Sequence, residues 1–97
     1  METTKIYLKF DRTIYGLAGY DYGVEIFKKQ VEPKINYDKH VVIVFPDTIE
    51  VIASSFIQGM FAEIIANVGY EGVQEKFDFK GGTELGDIKK QILQDLI

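Results

Sequence analysis

Ninety-seven residues suffice for one hydrophobic core and not for two, so the chain reads as one domain spanning 1–97. Apolar residues are 46% and charged residues 27%, which excludes intrinsic disorder, and the lack of cysteine excludes disulfide frameworks, thiolate zinc sites and cysteine nucleophiles. Eleven basic against fifteen acidic residues leave a net charge of −4, with no basic cluster along the chain, which disfavours nucleic acid as a partner.

The first predicted element is a half-buried strand in Lys5-Ile6-Tyr7-Leu8-Lys9-Phe10, where polar and apolar residues alternate. Gly16, Gly19 and Gly23 then punctuate a loop carrying Tyr15, Tyr20 and Tyr22. A helix follows from about Asp21 to Val31, with Val24, Phe27 and Val31 on one side, and Pro33 stops it near Glu32. Val41–Phe45 is apolar at every position, which predicts a central strand covered on both faces. A short extra strand is possible at Val51-Ile52. Ile57, Met60, Phe61, Ile64, Ile65 and Val68 recur at three- and four-residue steps, the strongest helix signature in the chain, and Gly69 stands where a C-terminal cap belongs. Glu75–Lys80 alternates charge with Phe77 and Phe79 and reads as a third strand, ended by Gly81-Gly82. Thr83 can cap a last helix whose buried stripe is Leu85, Ile88, Ile92 and Leu96. The order is β-α-β-α-β-α, an α/β fold with a mixed or mostly parallel sheet and helices packed against it.

No apolar stretch approaches the roughly 20 residues of a membrane span. Met1–Lys5 also lacks the basic flank and apolar run of a signal peptide, so the expected address is the cytoplasm, without membrane contact.

Ser54 and Ser55 stand where the long helix begins, a place where free amides and the positive end of the helix dipole converge. A serine there serves equally as a cap, stabilising by about 1 kcal/mol, or as a contact for a bound or covalent phosphate. Asp47 and Glu50 precede them in a turn, where Asp after Pro is ordinary chemistry. His40 is the sole histidine and has no metal-ligand or nucleophile partner nearby in sequence; it reads as a loop or strand-edge residue. The spacing of Gly16, Gly19 and Gly23 is neither a P-loop nor a dinucleotide fingerprint. Tyr15, Tyr20 and Tyr22 suit a partner-contacting patch or the edge of the core. Phe56, Met60 and Phe61 are core by their spacing. There is no acid–base pair, nucleophile–base set or cofactor loop at a recognisable spacing, so no enzyme, metal or cofactor is expected.

The strand at Val41–Phe45, the turn after Pro46 and the Ser54-Ser55 helix start together resemble the STAS domain (sulfate transporter and anti-sigma factor antagonist). More closely they resemble the compact bacterial STAS-like family, whose function is largely unassigned. STAS antagonists carry an Asp-Ser-Ser-Gly-Leu-Gly-like segment at this helix start, and a histidine-kinase-like ATPase phosphorylates the second serine. Here the matching segment is Ile52-Ala53-Ser54-Ser55-Phe56-Ile57-Gln58-Gly59, which aligns Ser55 with the phosphorylated residue. Ala53 stands in place of the acidic residue and Phe56 in place of a small one. The Gly-rich segment before the first helix also fits the STAS-like branch, and the similarity runs from Gly16 to Leu93. The resemblance implies a non-catalytic regulatory module with a protein partner, either a histidine-kinase-like ATPase or a sigma/anti-sigma component. It implies phosphorylation or anion contact at Ser55 and Ser54, and a partner surface of Phe56, Gln58, Gly59, Asp47, Tyr20 and Tyr22. The competing expectation is a small-ligand, nucleotide or phosphate sensor using the same helix start.

Overall fold

Three parallel strands carry the fold, which a computed structural model describes over residues 2–97. In chain order the elements are β1 (Thr3–Tyr7), β2 (Gly16–Leu17), α1 (Tyr20–Ile26) prolonged by a π-helical turn (Phe27–Val31), β3 (His40–Val44) and β4 (Val51–Ile52). Then come α2 (Ser54–Lys76), β5 (Phe77–Lys80), a 3₁₀ turn (Thr83–Leu85) and α3 (Ile88–Asp95). The main sheet has the order β1-β3-β5, with Ile6 in register with Ile43 and Ile43 with Phe79. β2 and β4 form a separate parallel pair, Gly16 beside Val51 and Leu17 beside Ile52.

The chain steps across the main sheet twice in the same direction. Crossovers of one hand then place both connecting helices on the same side. Burial follows that rule. Ile6, Val41, Ile43 and Phe77 share the helix-covered face and are fully buried, together with Phe45 at the end of β3. Each such side chain stabilises the fold by about 1.5–3 kcal/mol. On the other face Thr3, Lys5, Tyr7 and Lys80 are exposed, Val44 is half-buried, and only Val42 is buried. The central position predicted for Val41–Phe45 is therefore found, and the predicted double cover is not. Val42 is instead flanked in its row by Lys5 and Asp78, so continuous apolarity reflected a central place in the sheet rather than two helical layers.

The predicted first helix corresponds to α1 plus the π-helical turn, which closes with Glu32 N–H donating to the Phe27 carbonyl at 2.8 Å. Gly69 breaks α2 (φ 72, ψ 173), a conformation open essentially to glycine alone, but a second helical stretch resumes after it and runs into β5. Glu75 and Lys76, predicted as strand, belong to that stretch. Thr83 opens the 3₁₀ turn rather than the last helix; Asp87 caps α3, its Oδ1 accepting from Lys90 N–H at 3.1 Å. Ile88 and Ile92 form the buried stripe of α3, with Leu85 and Leu96 packed at its margin.

Candidate functional site at the start of α2

The start of α2 is welded to the loop before α1 by backbone and side chain together. Ala53 N–H donates to the Leu17 carbonyl at 2.8 Å, carrying the β2–β4 pairing up to the helix. Ala53 itself occupies the capping position and offers no capping side chain; its carbonyl accepts from the amides of Phe56 (3.1 Å) and Ile57 (3.2 Å). Neither serine caps α2. Ser54 is exposed, whereas the half-buried Ser55 hydroxyl turns outward from its own helix and accepts from Gly19 N–H at 3.0 Å. Gly19 has φ 102, which disfavours any side chain, and its carbonyl opens α1 by accepting from Gly23 N–H.

Two glycines then let α1 and α2 cross with backbones nearly touching. A β-carbon at Gly23 would stand 2.2 Å from the Phe56 carbonyl oxygen, and one at Gly59 would stand 2.0 Å from that of Tyr20. Phe56 lies fully buried under this crossing, with its ring edge-on to Tyr22 at 5.5 Å, and Tyr22 in turn meets Phe10 at 6.4 Å. Phe56 and Gly59 thus leave the expected partner surface: both are buried, one as packing and the other as a contact between backbones. Tyr22 is half-buried by the same stacking.

Gln58, Asp47 and Tyr20 stay at the surface, in different surroundings. Gln58 Nε2 reaches the Asp95 carbonyl at 3.3 Å, and Gln91 Nε2 donates to the Ile52 carbonyl at 2.6 Å, so α3 is tied to both ends of the β4–α2 junction. Asp47 is exposed in the turn after Pro46, its backbone against Gly82 on the β5 side. Tyr20 is 49% exposed at the head of α1. Across the small sheet lies an apolar surface pair that sequence reading assembled only in half: Tyr15 is 65% and Val51 54% exposed, and the Tyr15 carbonyl accepts from the amides of Glu50 and Val51. Beside Gly59, Tyr20, Val24, Phe27, Lys28, Ala62 and Glu63 line an open groove of about 340 Å³ between α1 and α2.

A second polar cluster joins β3, β5 and α3. His40 Nε2 lies 2.7 Å from Asp78 Oδ2, and Lys89 Nζ donates to Asp78 Oδ1 at 3.0 Å. Partial burial pushes the Asp78 carboxyl up, but the hydrogen bonds and charges of Lys89 and His40 outweigh it and hold the group below the usual carboxylate range. These residues are 38 and 11 positions apart, so only parallel register and α3 unite them. No set of three or more His, Asp or Glu side chains able to hold a metal occurs among the described residues. No helix among them is long and apolar enough to cross a membrane. Comparison with protein-family models, curated proteins and solved structures finds no match for the chain.

Proposed function

We propose that the chain is a non-catalytic, STAS-like regulatory module that docks a protein partner at the α2 start and the neighbouring Gly16–Tyr22 loop. The observation that carries this reading is the bond from Gly19 N–H to Ser55 Oγ. It makes one hydroxyl the latch between the helix start and a loop bearing the exposed rings of Tyr15 and Tyr20. Phosphorylation of that hydroxyl would put about −1.5 to −2 charge and a bulky group into the latch. The loop would have to move, and the exposed apolar patch with it. Tyr is enriched among interface hot spots, and an apolar patch rimmed by polar residues is the ordinary form of a docking surface. The partner would be a histidine-kinase-like ATPase or a sigma/anti-sigma component, acting in the cytoplasm.

The test is affinity capture from the source cell with ATP and magnesium, reading co-purified proteins and the mass of the bait. Recovery of such an ATPase or sigma-pathway protein, with one phosphate on Ser55, supports the reading. Unmodified bait, or equal capture by the parent, Ser55→Ala and Ser55→Asp, overturns the gating.

A further inference from the structure

The open face of the main sheet has the features of a docking site for a protein other than a second copy. Parallel sheets are ordinarily covered on both faces, because their crossover helices distribute to both sides. Here both crossovers fall on one side, and the opposite face is left to Thr3, Lys5 and Tyr7 of β1, His40, Val42 and Val44 of β3, and Asp78 and Lys80 of β5. Val42 is already buried; the apolar surface this face still presents is the half-buried Val44 and the Tyr7 ring, 56% exposed, in the register Tyr7–Val44–Lys80.

Its rim is basic in a chain whose net charge is −4. Lys5 and Lys80 project from the two edge strands without a carboxylate partner among the described residues, and Lys89 reaches over the β5 edge from α3. Asp78 is the one acidic residue in these rows, and it is already paired to both Lys89 and His40. The sequence shows no basic cluster because these lysines are far apart along it; strand register gathers them. An apolar centre with a charged rim is the anatomy of a protein interface. A second copy applied face to face would set lysine against lysine, which is unfavourable. Nucleic acid would find a single exposed aromatic and no arginine, short of a stacking platform.

We infer that this face docks an amphipathic helix of a partner protein, apolar along one stripe and acidic at its flanks, which completes the sheet's missing helical layer. The apolar stripe lies over Val44 and Tyr7, and the acidic flanks meet Lys5 on one side and Lys80 on the other. This surface lies on the opposite side of the sheet from the Ser55 latch and does not depend on it.

The probe is a synthetic amphipathic peptide of about 18 residues with a leucine stripe and glutamate flanks, long enough to be helical. A copy with lysine flanks and a single-stranded oligonucleotide are titrated in parallel, with binding followed by backbone amide shifts. Expected are saturable binding of the glutamate peptide, shifts concentrated at Thr3–Tyr7, His40–Val44 and Phe77–Lys80, and weakening as salt rises. Reversing both rim charges in Lys5→Glu/Lys80→Glu should weaken binding about tenfold. Ser55→Ala should bind as the parent does, which separates this outcome from failure of the Ser55 gating. Both lysines are exposed, and an unchanged melting temperature confirms that the double variant is folded. The proposal is overturned by equal binding of the lysine peptide, by preference for the oligonucleotide, by shifts confined to α1 and α2, or by no saturable binding up to about 1 mM.

Discussion

Gly59→Ala tests the close crossing of α1 and α2 directly. The new methyl carbon would stand 2.0 Å from the Tyr20 carbonyl oxygen and 2.8 Å from its carbon, inside the 3.0 Å that β-carbon contacts essentially never breach. The opposing atoms are backbone, so no rotamer change relieves the clash; α1 must retreat by about 1 Å, at a cost of about 3 kcal/mol. Alanine is the better helix former by about 1 kcal/mol, which offsets part of this. The net expectation is a loss of about 2 kcal/mol, because the steric effect exceeds the propensity gain. For a domain of this size that lowers the melting temperature by about 8–16 °C, read by calorimetry or circular dichroism. Gln74→Ala, on the same helix, exposed and without a side-chain hydrogen bond, is the control and should stay within about 0.5 kcal/mol of the parent. A Gly59→Ala protein that melts within about 3 °C of the parent, or above it, refutes the close crossing of α1 and α2.

Four further outcomes follow from the same contacts. Ser55→Ala removes the acceptor of the Gly19 amide and should cost about 1 kcal/mol, whereas Ser54→Ala, at an exposed position outside any cap bond, should cost almost nothing; urea unfolding of the pair separates them. Asp87→Ala removes the cap of α3 and should lower stability by about 1 kcal/mol in the same assay. The folded-state pKa of Asp78 lies below its ordinary 3.8, so its contribution is present above that value and is lost as pH falls through the depressed one. Acid titration of stability should therefore fall more steeply below pH 3.8 in the parent than in Asp78→Asn. Glu63, at the surface, moves the other way: sharing a hydrogen bond with Glu32 beside that residue's charge raises its pKa above 4.5, against the opposing charge of Lys28. Its contribution is greatest below that value and declines as pH rises, so Glu63→Gln should be the more stable protein at pH 7 and lose that advantage toward pH 4, measured by melting temperature across pH.

The candidate site was legible only in part. The periodicity of Ile57, Met60, Phe61 and Ile64 located α2, and with it the place of Ser54-Ser55 at a helix start. Periodicity could not distinguish a serine that caps its own helix from one that holds another segment; that depends on where Gly19 comes to rest, 36 residues away. Gly59 looked like surface because glycine carries no hydrophobic signal, yet its missing side chain is what lets Tyr20 approach. Gly69 is expected to end the long helix as its C-terminal cap, but helix resumes beyond it as far as Lys76, where Val73 is buried in the core.

The sequence by itself located the central strand by its unbroken apolarity, the body of α2 by three- and four-residue spacing and the end of the first helix before Pro33, whereas the expected first strand, Lys5–Phe10, overlaps β1 only at Lys5–Tyr7, and β2 lies in what reads as loop. These signals act over a few residues, within the range of backbone sterics and local side-chain spacing. Tertiary structure alone decided which face of the sheet stays open and which lysines share it, how Ser55 is used, and how His40, Asp78 and Lys89 meet. Those outcomes depend on the direction of two crossovers and the register of three strands. A one-residue slip in that register would send every side chain of a strand to the opposite face, and no local window records it.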